Sequence, residues 1–315
     1  MLLRQARTEY IHWLRATKNL SPHTLRAYEH DITALERHFG GTTSVESIDH
    51  DLILAFVGQQ RSDGLSAVSI KRRASGLRGL FRWLISEDLM ASDPWAGVEI
   101  AVGRNRKLPR VLSAHELICL LDHLRRAAGV GQGAPSRGIL SRPHQSTTLL
   151  AVSLMVMTGV RVHEVVGIEC RDIDLASRSL RLVGKGRQER QVYLTNDWIT
   201  ELLGVYLSTR SVVGIRHHRL LFNVHLDPLS TPALRRRLAR VAEAAGLRNR
   251  VTPHMLRHTA ATQLIEAGVD IRFIQRLLGH ASLSTTEIYT HVSDRTLKRA
   301  ISDADILGRL VGSDN

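Results

Sequence analysis

One stretch, residues 252–291, constrains the structure of this 315-residue chain most. It contains several signals for the beginning and end of helices, and polar side chains of histidine, arginine and tyrosine lie among them. Thr252 is a good N-cap and Pro253 suits the first helical position, so a helix is predicted to begin there. That helix should end near Gly268, because glycine tolerates the left-handed conformation that closes many helices. The stretch therefore predicts a helical region that contains a polar site.

Two further helices are predicted along the same stretch. The second covers residues 271–278 and ends at Gly279, which puts His280 on the following turn. The third is short and begins at the Ser-x-x-Glu pattern of residues 284–287, which is typical of a capping box. Tyr289 then lies in the first turns of this third helix.

Four polar side chains of this region could act on one phosphate: His254, Arg257, His280 and Tyr289. His254 and Arg257 are three residues apart, so they share a helix face. They lie in the first turns, where unpaired backbone N–H groups and the helix dipole favour an anion. Taken singly, each residue is more often a packing or surface group. Together, arginine and histidine donors beside a tyrosine hydroxyl indicate nucleophilic attack on phosphorus.

The charge distribution points to a polyanionic partner, most simply nucleic acid. The chain carries 43 Lys+Arg against 30 Asp+Glu, which is a net charge of +13 at pH 7. Residues 1–100 carry 12 charges of each sign, so the whole basic excess lies in residues 101–315, which contain the polar site. Basic composition alone also fits a ribosomal protein or a repressor, so it does not by itself indicate an enzyme.

Several classes of protein are not expected, because the sequence lacks their signals. The sequence contains no run of about 18 apolar residues, so no transmembrane helix is predicted. The N-terminus lacks the apolar core of a signal peptide. Cys119 and Cys170 are predicted to be free, buried thiols of a reducing compartment. The histidine and carboxylate residues lack metal-ligand spacing, so neither a metal nor another cofactor is expected.

Residues 1–100 are predicted to form a helical domain. Apolar residues at helical spacing and N-cap signals predict helices over 23–39, 48–60 and 66–87. The third helix carries a basic cluster that either is solvated or contacts DNA phosphates. The members of this cluster are Lys71, Arg72, Arg78 and Arg82.

Residues 101–112 are predicted to be a basic linker that leads into a second domain over 113–315. Arg106 and Lys107 are the charges of this linker that are expected to lie against phosphates. The predicted elements that follow are a helix over 113–126, a loop over 127–146, a buried helix over 147–158, a β region over 173–194, and helices over 197–210, 231–245 and 296–310.

Three of these elements carry candidate functional groups. The β region is predicted to be a hairpin with Lys185 at its tip. The helix over 231–245 contains a basic run that contacts either DNA or solvent. The amphipathic helix over 296–310 packs either on its own domain or on a neighbouring subunit. The basic residues of the run considered for DNA contact are Arg235, Arg236 and Arg240.

The polar stretch resembles the second signature box of the tyrosine recombinases, also called the phage integrase family. The residues that match are His254-x-x-Arg257-His258, Leu277-Leu-Gly-His280 and Ile288-Tyr289. The surrounding sequence is most similar to Xer-type and mobile-element members. In addition, Thr158-Gly-Val-Arg161-Val-His-Glu164 resembles the first box of the family, and Leu20 to Tyr28 resembles the opening of its core-binding domain.

The resemblance implies a mainly α fold with a small β-sheet or hairpin. A helical, SAM-like core-binding domain would cover residues 1–100 and bind DNA. A mixed α+β catalytic domain with a C-terminal tail helix would cover residues 113–315. The basic linker over 101–112 would join the two.

The resemblance also implies an activity. The chain would be a site-specific DNA recombinase that cleaves and rejoins DNA through a 3′-phosphotyrosyl intermediate and a Holliday junction, for integration, excision or resolution. Tyr289 would be the nucleophile. Glu164 would share the helical face of Arg161, three residues earlier, and would hold Arg161 or a neighbouring group by a charge-assisted bond. The other catalytic residues implied by the resemblance are Arg161, Lys185, His254, Arg257 and His280.

The resemblance implies double-stranded DNA with an inverted-repeat core site as the substrate. On that DNA the recombinases would form a homo- or hetero-tetramer, in which subunits could exchange their C-terminal tails. No ATP, metal or membrane is implied, and the location would be the bacterial cytoplasm, associated with the nucleoid. Two other functions stay open: a DNA-binding regulator on an inactivated scaffold, and a type IB-like topoisomerase. The complete set of catalytic residue types disfavours the first, and the core-binding resemblance disfavours the second.

Overall fold

The computed structural model describes residues 1–103, 110–130, 142–184, 189–279, 294–306 and 308, with the backbone alone for 294–298. The chain divides into two compact units, Met1–Lys107 and Leu108–Asn315. Within the described ranges, helices predominate and are accompanied by a small three-stranded antiparallel sheet. The predicted fold class, mainly α with a small β element, is therefore confirmed.

The described part of the first unit is a bundle of four α-helices. They are α1 (Leu3–Thr17), α2 (Pro22–Phe39), α3 (His50–Ser62) and α4 (Ala67–Ser86). Helix α4 packs against the other three and buries Leu77, Leu80 and Phe81 in the core. Helices α2, α3 and α4 match the three predicted helices, whereas α1 was not predicted from the sequence.

The second unit is built around one helix that is buried on every side. Its helices are α5 (Ala114–Ala128), α6 (Pro143–Thr158), α7 (Val162–Gly167), α8 (Asp197–Val212), α9 (Thr231–Ala244), α10 (Pro253–Glu266), α11 (Ile271–Leu278) and α12 (Asp294–Ala304). Every residue of α6 from Ser146 to Thr158 is buried, and α5, α8, α9 and α10 pack around it. A helix that is apolar on all sides belongs in a core, as the sequence predicts for this one.

The sheet of the second unit is an antiparallel meander of β1 (Ile173–Asp174), β2 (Ser179–Val183) and β3 (Glu189–Tyr193). In its register, Leu180 lies opposite Val192 and Leu182 lies opposite Arg190. The strands of the predicted hairpin are thus confirmed. Its tip, including Lys185, lies outside the described residues.

The described part of the C-terminal tail packs on its own unit. Ile301, Ala304 and Ile306 are buried in the hydrophobic core of the second unit. The side-chain amide of Asn196 donates a hydrogen bond to Asp305 Oδ1 at 2.8 Å.

The structure tests two predictions made from the sequence, the state of the cysteines and the absence of a transmembrane helix. Cys119 and Cys170 are free, as predicted, but they are half-buried rather than buried. The Cys119 sulfur lies 3.8 Å from His115 Nε2, one helical turn away, on a partly exposed side of α5. In the part of the chain that the structure describes, no helix is both long and apolar enough to cross a membrane.

Candidate active site

Arg161 lies at the junction between α6 and α7. Helix α6 ends at Gly159, which adopts the left-handed conformation with φ of 62°, and the chain then turns into α7. Arg161 is the N-cap of α7, with extended backbone, so it precedes the helix. The predicted placement of Arg161 and Glu164 on one helical face is therefore wrong. They meet instead as a capping box, in which the Arg161 N–H donates to Glu164 Oε2 at 2.8 Å.

Arg257 reaches the same place from α10. Thr252 caps this helix, since its hydroxyl oxygen accepts a hydrogen bond from the Met255 N–H at 3.3 Å. The Arg257 side chain is buried and donates to the carbonyl oxygens of Gly159 and Leu278, each at 2.8 Å. The two sequence boxes, which are about a hundred positions apart, therefore meet at one point of the fold.

The C-terminal end of α11 is held by three arginines. The carbonyl of Leu277 accepts from Arg190 Nε at 2.9 Å. The carbonyl of Leu278 accepts from Arg257 and, at 3.3 Å, from Arg161, which also donates to Gly279 at 3.0 Å. The last carbonyls of a helix have no partners within it and carry the negative end of its dipole, so cations stabilise them. Residue 280 follows this fixed end directly.

Glu164 is the carboxylate that balances part of this charge. Its side chain has no exposed surface, and both of its oxygens accept from Arg190, at 2.7 and 2.9 Å. Burial alone would raise the pKa of Glu164. The hydrogen bonds and charges of Arg190 and Arg161 outweigh that effect and lower the pKa to about 2. Glu164 is therefore ionised at neutral pH, and the predicted charge-assisted bond to Arg161 is present.

The described cluster keeps an excess of positive charge. It contains three guanidinium groups and one carboxylate, because Arg161 and Arg190 pair with Glu164, and Arg257 adds a third positive charge that interacts with it electrostatically. Burial, and then repulsion from Arg161, lower the pKa of Arg257 to about 10. A partly buried site with surplus positive charge attracts an anion, and guanidinium groups match the geometry of phosphate oxygens.

An open cleft of about 500 Å³ gives access to this charge. His254, in the first turn of α10, is exposed at its edge, and its Nε2 lies 2.8 Å from Nε2 of His258. One of these two nitrogens must carry the hydrogen that the other accepts. The lining also includes Arg235 from α9 and Arg250 from the loop before α10. Arg250 was not among the site residues predicted from the sequence.

The structure brings together some of the predicted site residues and leaves others untested. Arg161, Arg257 and His254 line one cleft, with Glu164 beneath them. Arg235 joins this cleft, and Arg236 and Arg240 are exposed on α9. Five predicted residues lie outside the described ranges: Arg106, Lys107, Lys185, His280 and Tyr289.

The basic cluster of the first unit is only partly available for a ligand. Lys71 and Arg72 line a cavity of about 1010 Å³. Arg72 also makes a two-pronged ion pair with the buried Asp31, at 2.8 and 2.5 Å. Arg78 donates to the carbonyl oxygen of Val98, and Arg82 Nε donates to the carbonyl oxygen of Arg78 at 3.2 Å. Lys71 and Arg82 are exposed, so they are the least committed members.

Arg190 was not among the site residues predicted from the sequence. Arg190 is separated from the buried Val192 by one residue on β3, so it lies on the inward face of the sheet. An arginine at a core-facing strand position must be hydrogen-bonded, so the alternation along β3 was the signal that could have identified Arg190.

No group of three or more potential metal ligands occurs within the described ranges.

Comparison with known proteins identifies the family. The phage integrase family matches residues 133–296, and the N-terminal SAM-like domain of phage integrases matches residues 8–88. The chain is 31% identical over 302 residues to tyrosine recombinase XerC of Listeria welshimeri, covering 92% of this chain and 94% of that protein. The chain belongs to the phage integrase family of tyrosine recombinases. It is 32% identical to tyrosine recombinase XerD of Staphylococcus saprophyticus, covering 94% of this chain and 96% of that protein.

Solved structures of other tyrosine recombinases and integrases share the fold of this one. A lambda integrase dimer bound to a core site superposes with a TM-score of 0.69 at 22% identity, covering 93% of this chain and all of that one. The site-specific recombinase XerH bound to a palindromic difH substrate gives a TM-score of 0.65 at 25% identity, covering 90% and 81%. The predicted family is confirmed, and this tyrosine recombinase is an enzyme of site-specific DNA recombination.

Proposed function

We propose that this tyrosine recombinase cleaves and rejoins DNA with Tyr289 as its nucleophile. The Tyr289 hydroxyl attacks the scissile phosphate, forms a 3′-phosphotyrosyl bond and releases a 5′-hydroxyl. Because the new phosphodiester bond keeps the energy of the old one, a different 5′-hydroxyl can attack it and rejoin the strands. The reaction then requires neither ATP nor a metal ion.

Five other residues are proposed to act on the same phosphate. Arg161 and Arg257 bind the non-bridging oxygens and neutralise the charge that builds up in the transition state. His280 donates a further hydrogen bond to these oxygens. Lys185 protonates the leaving 5′ oxygen, a role for which lysine is better suited than arginine. His254 assists removal of the proton from Tyr289.

The observation that carries this proposal is the convergence of Arg161 and Arg257 on one carbonyl oxygen, that of Leu278. The two side chains come from boxes far apart in the sequence and line the same cleft. Each guanidinium has five N–H donors, and the bonds to backbone carbonyls use only some of them. Such a pair, above a single carboxylate, supports the binding of a phosphate diester.

The DNA is proposed to lie across both parts of the chain. In this proposal residues 1–100 are the core-binding domain, residues 101–112 the linker and residues 113–315 the catalytic domain. The exposure of Lys71, Arg82 and the basic side of α9 supports phosphate contact at these places. The full set of residues proposed to contact DNA is Lys71, Arg72, Arg78, Arg82, Arg106, Lys107, Arg235, Arg236 and Arg240.

The assembly is proposed to be a tetramer on two inverted-repeat core sites in the bacterial cytoplasm, passing through a Holliday junction. The lambda integrase tetramer bound to a Holliday junction is the precedent among proteins of similar fold. Tail exchange between subunits would require Ile301, Ala304 and Ile306 to leave the core of their own unit, where they are buried.

A covalent capture experiment tests the proposed chemistry. The purified protein is mixed with fragmented DNA of the source genome, without metal or ATP, and detergent-resistant adducts are recovered and sequenced. We expect adducts that share one inverted-repeat core. Tyr289→Phe should bind the same DNA without forming adducts. Tyr193→Phe, which removes a phenol from β3 of the same unit, is the matched control and should form them.

The outcomes separate the alternatives. Adducts that persist with Tyr289→Phe would show that another residue is the nucleophile. DNA binding with no adduct in any variant would favour a regulator without catalytic activity. Relaxation of supercoiled DNA by monomers, without paired sites, would favour a topoisomerase.

A further inference from the structure

Arg190 occupies a position where an apolar residue is expected. On β3 it lies opposite Leu182 and on the same face as the buried Val192. Its side chain is 13% exposed. Burying a charge in this way is unfavourable unless it is fully paired, and replacing such a pair by apolar residues often costs nothing in stability. The position therefore calls for a reason other than stability.

The bonds of Arg190 join three elements of the second unit. Nη1 and Nη2 donate to the two oxygens of Glu164 on α7, at 2.7 and 2.9 Å. Nε donates to the carbonyl oxygen of Leu277 at the end of α11, at 2.9 Å. One side chain thus ties strand β3 to the helix that follows Arg161 and to the helix that precedes residue 280.

Glu164 connects this arrangement to Arg161. Its Oε1 accepts Arg190 at 2.7 Å and Arg161 Nη1 at the longer distance of 3.3 Å. The two guanidinium groups therefore share one carboxylate, and Arg190 holds the stronger bonds. With its carboxylate occupied, Glu164 cannot draw Arg161 into a full ion pair. Arg161 instead keeps its bonds to the carbonyls of Leu278 and Gly279 and its place in the cleft.

Gly279 indicates how closely this arrangement is packed. It adopts a positive φ of 65°, and a Cβ there would lie 3.1 Å from Arg190 Nη1. Its own carbonyl oxygen accepts from Arg161 at 3.0 Å. The end of α11 is therefore in contact with both arginines, so movement of one is passed to the other through a short, tightly packed turn.

We propose that Arg190 is a positioning residue for the recombination reaction. By saturating Glu164 it holds Arg161 in the cleft, and by binding Leu277 it fixes the end of α11 relative to the β2–β3 hairpin. This inference rests on the proposed role of Arg161 in binding the scissile phosphate. Loss of Arg190 lets Glu164 capture Arg161 and withdraw it from the phosphate.

The test compares Arg190→Gln with Arg181→Gln. Arg181 is a matched control, because it lies on the adjacent strand β2 and its carboxylate partners are Asp172, at 2.8 Å, and Glu189, at 3.6 Å, rather than Glu164. The substrate is a nicked duplex that carries the core sequence recovered by covalent capture, and adduct formation is followed in a single turnover. We expect Arg190→Gln to form adducts about 10–100-fold more slowly, the cost of a slightly misplaced group. DNA affinity, and the rate of Arg181→Gln, should change less than about twofold.

A second substrate separates positioning from a general structural role. In a methylphosphonate duplex the scissile group carries no charge, so a correctly placed Arg161 contributes less to the reaction. The defect of Arg190→Gln should then shrink several-fold. An equal defect on both substrates would overturn the proposal, and so would an unchanged rate on the ordinary duplex. Absence of adducts with the unaltered protein would instead contradict the proposed function itself.

Two further variants keep the test decisive if Arg190→Gln is poorly folded. Arg190→Lys retains a charge beside Glu164 but only one attachment point, so it should fold and show an intermediate rate. The double variant of Glu164→Gln and Arg190→Gln should be no slower than the slower single variant, because both changes interrupt one path. If the two losses of adduct-formation rate multiply in the double variant, Arg190 does not act through Glu164, which would contradict the proposal.

Discussion

The guanidinium group of Arg257 donates a hydrogen bond to the carbonyl oxygen of Gly159, 98 positions earlier in the chain, at 2.8 Å. Gly159 ends α6 with a positive φ of 62°, and a Cβ there would overlap with Leu278 Cδ2. Leu278 in turn offers its carbonyl oxygen to Arg257 at 2.8 Å. Absence of a side chain at residue 159 thus allows α6, α10 and α11 to meet around the buried guanidinium.

Substitution Gly159→Ala should therefore damage both stability and activity. The left-handed conformation costs an ordinary residue about 1–2 kcal/mol, and the contact with Leu278 adds about 1–3 kcal/mol of overpacking. The control is Gly214→Ala, since Gly214 has a φ of 74° but nothing within 4 Å of the added Cβ. Urea unfolding should show a clearly larger loss for Gly159→Ala, and its adduct formation should be slower. Equal losses in the two variants would contradict this account.

The buried carboxylate of Glu164 should make stability depend on pH. Its pKa falls from the usual value of 4.5 to about 2 on folding. A lowered folded-state pKa stabilises the protein fully above pH 4.5, and this stabilisation is lost as the pH falls towards 2. The shift corresponds to about 3 kcal/mol in the free energy of unfolding at neutral pH.

Urea unfolding of Glu164→Gln at several pH values tests this. The variant should be less stable than the unaltered protein at pH 7, because it leaves Arg190 and Arg161 without their carboxylate. The difference should shrink steadily between pH 4.5 and pH 3. Glu266→Gln, which changes an exposed glutamate of α10, is the control and should track the unaltered protein throughout. A difference that stays constant with pH would show that ionisation of Glu164 is not the cause.

Local signals explain why most of the fold could be predicted from the sequence. Helices with a side-chain N-cap or a proline in the first turn, such as α2, α4 and α10, were predicted to within a few residues. Helix α1 was missed because its N-cap, Leu2, makes no side-chain cap bond, although its apolar residues have helical spacing. An amphipathic pattern without a helix-start signal was therefore not enough to predict α1.

The candidate site was less predictable where it depends on tertiary contacts. Spacing identified Arg257, and the family resemblance implied Arg161 and Glu164, but neither could show that Arg161 caps α7 rather than lying on it. Arg190 matched no recognised pattern, because its role arises from the register of β3 against β2 and from the end of α11. The alternation along β3 indicates that Arg190 faces the core, but it does not indicate its partner Leu277, which lies 87 residues away.

The surplus positive charge of the cleft should bind small anions in the absence of DNA. At about ten times its dissociation constant, sulfate would add about 1.4 kcal/mol to the free energy of unfolding, or about 3 °C to the Tm. The measurement is thermal unfolding in sodium sulfate against sodium chloride at equal ionic strength. Because sulfate also stabilises proteins in general, Arg250→Gln, in the cleft lining, is compared with Arg248→Gln, which is exposed outside that lining. We expect only Arg250→Gln to reduce the rise, and an equal rise in both would argue against an anion site.

The C-terminal tail should contribute to the stability of its own unit. Ile301 is 4% exposed within the core, so Ile301→Ala should lower the free energy of unfolding by about 3 kcal/mol. Ser302→Ala, at an exposed position of α12, is the control and should have little effect. Because the tail packs on its own unit, the urea midpoint should not change with protein concentration over about a hundredfold range. A midpoint that rises with concentration and loses this dependence in Ile301→Ala would mean that the tail binds a second subunit in solution, since only contacts between chains respond to mass action.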